Sequence, residues 1–513
     1  MSFEPNYEKV VSNYKRKIGE MQSQLVCKLP TNDGIDVAKI LCTNVKINML
    51  NSSVMQSTIN FDGVALVQAV YIDQDNNVKF VDYSLEFKDK FVANKELMVA
   101  DTIISYDVVE IRSQIEGNNI KVEAILNVCI DGIFADNLNI LTSATGEGVY
   151  SKLEDINFSS FVGVASDRFD VSNDIEINDA VEEILFVCPN ATVDRVESYD
   201  NYVKVFGTVA VNIAYTTAGD NSTIRTLDTN FDYEQELALT GTKSASVADC
   251  QASCMYQGIS VTTNLGMDKS VISLSVPIDA KCFVWNDESI QIVSDIYSLT
   301  NNLNISTESY TVQSIEDSMR FSERVVGSVT IDDNDMLIDD VLGVCCGDIL
   351  IASHRVQDNT LIVDGVLNAT VIYRNNEVQK ISSILVQVPF SLDMSSANLN
   401  DEMLLRVVAN IKRLQVKGRR GTEIEVVADI EVCVHACSLD KDAVVSQVTV
   451  EDEKLPSKSN LTIYIAREGD TIWDIAKKMS VPEDVIIEQN LNLELPIKNG
   501  ERIVVYKQVV AQI

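Results

Sequence analysis

The chain is poor in the residues from which many metal and catalytic sites are built. Among its 513 residues there are two tryptophans and two histidines, His354 and His435. Finger-type metal sites need four ligands at characteristic spacing, whereas the eleven cysteines are scattered through apolar segments, with Cys250 and Cys254 forming one of two C-x-x-x-C pairs. We therefore predict no metal, no cofactor, and reduced cysteines that pack as small hydrophobic side chains.

Basic residues are also scarce. There are 41 Lys and Arg against 76 Asp and Glu, for a formal net charge of −35. Nucleic-acid binding requires a basic surface, and an anionic membrane or wall polymer repels such a chain. The sequence has no apolar run of about 18 residues that could span a bilayer, and its first twenty residues lack the apolar core of a secretory signal. We expect no nucleic-acid partner, no transmembrane segment, and a protein that stays where it is made.

Motifs of known enzyme classes are absent as well. The phosphate-binding pattern G-x-x-x-x-G-K-[ST] does not occur, and the stretch ATGEGVYSK around Gly146 has the wrong order of residues. Carboxylates are abundant, but in so acidic a chain they are typical of solvated surface. We predict that the protein is not an enzyme.

What the chain does contain is a threefold repeat in which a glycine precedes a tyrosine by eight residues. The three segments are FDGVALVQAVY, FGTVAVNIAY and VDGVLNATVIY, with Gly63 and Tyr71, Gly207 and Tyr215, and Gly365 and Tyr373. An even spacing puts both residues on one face of a strand. Each segment is preceded by a sequence close to D-V-x-x-I-L-x-x-C: DVAKILC, DAVEEILFVC and DDVLGVC. The intervals, about 145 and 158 residues, indicate domain duplication rather than a solenoid.

These patterns predict a mainly β fold whose core is aliphatic, because aromatic residues make up only 6% of the chain. We predict three tandem antiparallel β domains at residues 27–150, 151–300 and 301–440, each starting with a short helix or turn. A helical segment at 1–26 precedes them, and a linker at 441–459 follows. The polar stretches at 134–150 and 298–313 are interpreted as domain boundaries.

The last fifty residues carry the most specific pattern. Leu461, Ile463 and Ile465 alternate as in a short half-buried strand. Thr471 and Asp474 fit a T-x-x-D helix N-cap, and apolar residues then recur at helical spacing. A proline suits the start of a second helix, and the turn K-N-G leads into a last strand. These features predict a small βααβ module at residues 460–508.

The module resembles a LysM domain, most clearly in the motif G-D-T-I-W-x-I-A that begins at Gly469. LysM domains are usually associated with glycans of the N-acetylglucosamine type, held in a groove between the first strand–helix loop and the loop before the last strand. The resemblance places the loop at residues 492–496 beside that groove. The partner-binding candidates are Ile463, Tyr464, Gly469, Asp470, Thr471, Trp473 and Asn492.

Trp473 has two interpretations. It lies about 100° around the helix from Ile472, off the main apolar stripe. It is either a tryptophan at the rim of the module's own core, or an exposed aromatic anchor for a partner, a role in which tryptophan is enriched.

The combination of the three β domains and a C-terminal LysM domain resembles the SPOCS-domain spore coat morphogenetic proteins of spore-forming clostridia. This resemblance implies a non-enzymatic scaffold in the mother-cell cytoplasm, at the forespore surface. The LysM domain would bind the SpoIVA-type morphogenetic ATPase, and the β domains other spore coat proteins, which would couple coat assembly to the forespore. The alternative is a cell-wall protein that binds peptidoglycan or N-acetylglucosamine chains.

One basic segment interrupts the acidity of the chain. KRLQVKGRRG contains Lys417, Arg419 and Arg420, and its glycines predict a hairpin. The segment is either a solvated hairpin tip or a docking patch for an acidic partner, including another copy of this chain through self-association.

Overall fold

The computed structural model describes residues 3–31, 34–217, 224–255, 258–265, 269–331, 338–375, 381–396, 399–419, 421–454 and 461–506. Strands dominate this part of the chain, and its two short helices lie in the C-terminal module. The predicted fold class, three antiparallel β domains followed by a βααβ module, is confirmed.

The three β domains, called repeats 1, 2 and 3, share one order of strands. Repeat 1 contains β1 (Glu4–Pro30), β2 (Val37–Met55), β3 (Thr58–Asp73), β4 (Val78–Val92), β5 (Val99–Glu116) and β6 (Asn119–Thr145). Repeat 2 contains β7 (Val149–Ile177), β8 (Val181–Tyr199), β9 (Tyr202–Thr217), β10 (Ile224–Ala238), β11 (Val247–Cys254), β12 (Ser260–Leu265) and β13 (Ser270–Ser298). Repeat 3 contains β14 (Asn301–Thr330), β15 (Ile338–Gln357), β16 (Thr360–Asn375), β17 (Ile381–Ser395), β18 (Leu404–Arg419) and β19 (Glu423–Glu453).

Within each repeat the strands form two antiparallel sheets. The first and last strands, 27 to 31 residues long, pair with each other, and the fifth strand pairs with the last. In repeat 2 the fifth strand is divided into β11 and β12. The second, third and fourth strands form a meander that packs on the long pair. Buried and partly buried residues alternate along strands such as β6, as expected where one face of a sheet covers a core.

The repeated glycine makes room for an aromatic ring from the neighbouring strand. Gly63 lies opposite Phe87, Gly207 opposite Tyr233, and Gly365 opposite Phe390. A Cβ added at any of the three glycines would collide with that ring. The tyrosine eight residues later is buried in each repeat, on the same face as predicted. The repeat signature therefore records a packing constraint of the meander.

We predict that Gly365→Ala lowers the free energy of unfolding by about 1–3 kcal/mol, the usual cost of overpacking a core. The new Cβ would meet the Phe390 ring and the Leu350 carbonyl oxygen, the latter at 3.0 Å. Urea denaturation followed by circular dichroism measures the change. Gly418→Ala is the control, because its nearest contact is a Val341 methyl at 3.2 Å, and a smaller loss is expected. Equal losses in the two variants would contradict the packing explanation.

The repeats meet at a junction built from corresponding residues of all three. Ile140, Ile292 and Val444 share one buried apolar cluster, and the adjacent residues along each strand share a second. A third cluster contains Leu41, Leu185 and Leu342 with their neighbours, which come from the three segments of the D-V-x-x-I-L-x-x-C type. Those segments therefore mark where the three meanders contact one another.

Several predicted boundaries are wrong. From Glu4 onwards, the predicted helix at residues 1–26 is part of strand β1, because pairing with β6 along its whole length outweighs the helix-forming Lys, Glu and Gln residues. The three repeats begin with these long strands, and no helix starts a repeat within the described residues. The polar stretches at 134–150 and 298–313 do contain the breaks between the repeats, at 146–148 and 299–300, although most of their residues belong to long strands. The predicted linker is wrong in part, because β19 occupies its residues 441–453. Residues 455–460 lie outside the described part of the chain.

The prediction that all cysteines are reduced is also wrong for one pair. Cys250 on β11 and Cys282 on β13 face each other in the sheet and form a disulfide bond. Cys254, the other member of the C-x-x-x-C pair, is buried and lies outside the disulfide, as does Cys27. Burial raises the pKa of the Cys254 thiol to about 12, so it packs as a neutral side chain.

Candidate functional site

The C-terminal module contains β20 (Leu461–Ile465), α1 (Ile472–Met479), α2 (Glu483–Gln489) and β21 (Arg502–Tyr506). Thr471 forms the predicted N-cap of α1: its hydroxyl accepts from the Asp474 N–H at 3.2 Å, and the Asp474 carboxylate accepts from the Thr471 N–H at 2.9 Å. This reciprocal capping box fixes the start of the helix. Ile475 and Ala476 are fully buried beneath it.

Asp470 holds the first loop of the module together. Its carboxylate accepts hydrogen bonds from the Arg467 N–H and the Tyr464 hydroxyl, each at 2.8 Å, and from Lys478 Nζ at 2.9 Å. These contacts, the backbone one foremost, lower the pKa of Asp470 to about 2. The loop turns at Gly469, whose φ of +84° is in the left-handed region that favours glycine.

Asn490 holds the end of α2 to the last strand, a role that its position in the LysM pattern did not reveal. Its amide donates to the carbonyl oxygens of Ile486 and Val504, and its side-chain oxygen accepts from the Val504 N–H, all at 2.8 Å. The predicted site residue Asn492 follows two positions later and is exposed. Asn490 therefore positions the loop that carries Asn492.

The two strands of the module leave an apolar face open to solvent. Ile503 and Val505 point into the core, whereas the alternate residues point outward. Ile463 and Val504 are cross-strand partners on the outward face. The exposed fractions are 55% for Leu461, 57% for Ile463, 62% for Ile465, 37% for Val504 and 53% for Tyr506. We call these five residues the outer strand face; apolar patches of this kind are typical of interaction sites.

Trp473 is not an exposed anchor. It is only 8% exposed, and its indole contacts Tyr297 and Asp295 at the end of repeat 2. Its burial with Ile475 and Ala476 agrees with the first interpretation, a tryptophan at the rim of the module's core. The sequence did not show that Tyr297 of repeat 2 completes this cluster. Tyr464 points inward to Asp470, so its hydroxyl supports the loop.

The predicted site residues therefore fall into separate groups. Gly469, Asp470 and Thr471 lie on the first loop, Asn492 on the loop before β21, Ile463 on the outer strand face, and Trp473 in the contact with repeat 2. Binding of a partner by these residues stays a prediction, and the outer strand face and the two loops are the parts open to one.

The basic segment is partly used inside the protein. Lys412 of the segment lies between Asp194 at 2.9 Å and Glu431 at 2.8 Å, and Arg406, which precedes the segment on β18, pairs with Asp249 of repeat 2. Lys417 is exposed on β18, opposite Glu425. Arg419 ends that strand, and Arg420 lies outside the described residues. Docking of an acidic partner at Lys417, Arg419 and Arg420 stays a prediction.

The body of the protein also contains a cavity of about 450 Å³ that is lined by residues of all three repeats. Its lining mixes cations such as Lys46 and Arg413 with carboxylates such as Asp228 and Asp348, so it favours no charge class of ligand. Within the described residues, no group of three or more His, Cys, Asp or Glu is placed to hold a metal. Nor is any helix there long and apolar enough to cross a membrane.

Comparison with known families agrees with this architecture. Residues 338–418 match the family model described as SipL, SPOCS domain, and residues 464–505 match the LysM domain. The first match runs from β15 to the end of β18, that is, the meander and fifth strand of repeat 3. No curated protein and no solved structure matches the chain. The resemblance inferred from the sequence is confirmed, and both domains are binding or scaffold modules rather than catalytic ones.

We predict that Asp470→Asn destabilises the module at neutral pH and removes part of its acid sensitivity. Because folding lowers the pKa of Asp470, its stabilising contribution is present above the ordinary value of 3.8 and is lost as pH falls towards 2. Thermal unfolding can be followed by tryptophan fluorescence in a Trp285→Phe background, which leaves Trp473 as the reporter. Between pH 4 and 2 the midpoint should fall more in the parent than in the Asn variant. Parallel curves over that range would contradict the prediction.

Proposed function

Because the chain combines a SipL-type SPOCS domain with a C-terminal LysM domain, we propose that it is a non-enzymatic scaffold for spore envelope and coat assembly. In this proposal it acts in the mother-cell cytoplasm at the forespore surface. Its LysM domain binds a SpoIVA-type ATPase, and its repeats hold other coat proteins. The domain content fits a sporulation-related protein, and the partner follows from the family resemblance.

The observation that carries the proposal is the outer strand face. Its five apolar side chains lie in two adjacent rows, and the helices of the module cover only the opposite face of the strands. Protein interfaces are centred on such apolar residues, surrounded by polar ones. Trp473 does not contribute to this surface, because repeat 2 covers it.

We predict that Ile463→Asp in the full-length protein weakens binding to the SpoIVA-type ATPase at least about tenfold, since it would bury a charge in an apolar interface. Leu385→Asp is the matched control: Leu385 is also a strand residue, 54% exposed, but it lies on β17 of repeat 3. Biolayer interferometry with purified proteins gives both dissociation constants. Unchanged binding by the Ile463 variant would show that the outer strand face is not the binding site for the ATPase.

Glycan binding is the second candidate, and the open loops of the module favour it. Gly469 has no atom within 4 Å of where a Cβ would lie, and Asn492 is exposed on the opposing loop. A peptidoglycan or N-acetylglucosamine chain could reach both loops without disturbing the contact with repeat 2.

Titration of the full-length protein with chitin oligomers and with the ATPase distinguishes the two proposed functions. The scaffold proposal predicts ATPase binding and no glycan binding at micromolar concentrations. Micromolar glycan binding that Asn492→Ala weakens, together with no ATPase binding, would replace the scaffold proposal with the cell-wall alternative.

A further inference from the structure

One face of helix α1 rests on the end of repeat 2. The Trp473 ring meets the Tyr297 ring edge-on, with 4.9 Å between centroids, and Tyr297 stacks on Tyr150 at 5.4 Å. The Tyr297 hydroxyl also donates a hydrogen bond to the carbonyl oxygen of Val481, just after the end of α1, at 2.9 Å. Tyr297 is nearly fully buried by these contacts.

Asp295 provides the polar half of the same contact. One of its carboxylate oxygens accepts from Trp473 Nε1 at 2.8 Å, and the other from Lys477 Nζ at 2.6 Å. Lys454 donates to the backbone of repeat 2 at 2.7 Å and to the Ser480 hydroxyl at 2.8 Å. A carboxylate that accepts two donors from one turn of a helix fixes the rotation of that helix as well as its position.

We call the contacts that Asp295 and Tyr297 make with α1 and with Val481 the seat of the module. The other two repeats lack this seat. Leu141, Val293 and Val445 share one junction cluster, which aligns the ends of β6, β13 and β19 as ILTSAT, IVSDIY and VVSQVT. Two residues further along each strand is the position of Asp295, and two beyond that the position of Tyr297. The corresponding residues are Ser143 and Thr145 in repeat 1 and Gln447 and Thr449 in repeat 3. Neither pair offers a carboxylate or an aromatic ring.

We infer that Asp295 and Tyr297 are positioning residues, which seat the LysM domain on repeat 2 in a single orientation, with Trp473 serving this internal contact. The outer strand face lies on β20 and β21 and takes no part in the seat. The seat itself is independent of the proposed function. Its consequence for partner binding, that the outer strand face is presented in a fixed direction, rests on that function.

Hydrogen exchange tests the seat in the full-length protein without any partner. In Asp295→Ala and Tyr297→Ala, amides of residues 472–481 should exchange about tenfold faster or more, because hydrogen bonds to charged groups and buried aromatic contacts are lost. Gln447→Ala and Thr449→Ala change the corresponding positions of repeat 3, both of which are exposed, and should leave that peptide unchanged. Unchanged exchange in the two repeat 2 variants would overturn the inference.

A double-mutant cycle separates the specific contact from general destabilisation. Trp473→Phe removes the indole N–H that Asp295 accepts and keeps an aromatic ring for Tyr297. In the parent, this change should speed exchange of residues 472–481, whereas in the Asp295→Ala background it should have little further effect. Fully additive effects would mean that the two residues do not act together, which would overturn the assignment of Asp295.

ATPase binding by the same variants distinguishes failure of the inference from failure of the proposed function. The inference predicts that Asp295→Ala weakens binding by less than Ile463→Asp, because it loosens the orientation of the face and leaves its side chains intact. If Ile463→Asp has no effect on binding while Asp295→Ala still frees α1, the proposed function fails and the seat stands. If Ile463→Asp abolishes binding and α1 is equally protected in every variant, the seat fails and the function stands.

Discussion

The architecture depends on the burial of aliphatic side chains where the three repeats meet. The long strands of each repeat pair with each other along their length and extend beyond its meander, and their ends carry apolar residues that do not pack on the meander. Ile140, Ile292 and Val444 are buried only because all three extensions come together. Each such side chain contributes about 1.5–3 kcal/mol when fully buried. The repeats are therefore parts of one body, and the end of β13 that carries the LysM domain is held in place by its neighbours.

Local patterns in the sequence were sufficient for the features that depend on near neighbours. The Thr471–Asp474 capping box and the βααβ order of the module involve contacts within a few residues, so spacing alone predicted them. The glycine and tyrosine of each repeat were correctly placed on one face of a strand. The aromatic ring that explains the glycine, such as Phe390 opposite Gly365, lies on the next strand and was not identified from the spacing.

Features that depend on distant segments could not be predicted in this way. The N-terminal residues read as a helix because their own propensities favour one, whereas β6, more than a hundred residues later, supplies the strand with which they pair. Trp473 is buried together with Ile475 and Ala476 of its own helix, and Asp295 and Tyr297 of another domain complete its environment. The sequence pattern was sufficient to place the candidate loop and strand residues within the module. It did not reveal that the end of repeat 2 covers Trp473.

The difference between repeat 2 and the other two repeats affects how many binding sites of each kind one chain can offer. The fold of the meander occurs three times in each chain, whereas Asp295 and Tyr297 occur in one repeat only. A ligand that recognises the shared features of the meander could therefore meet three sites on one chain, but a ligand of the LysM domain meets a single site with a defined direction. The chain therefore offers different numbers of sites to the two kinds of ligand.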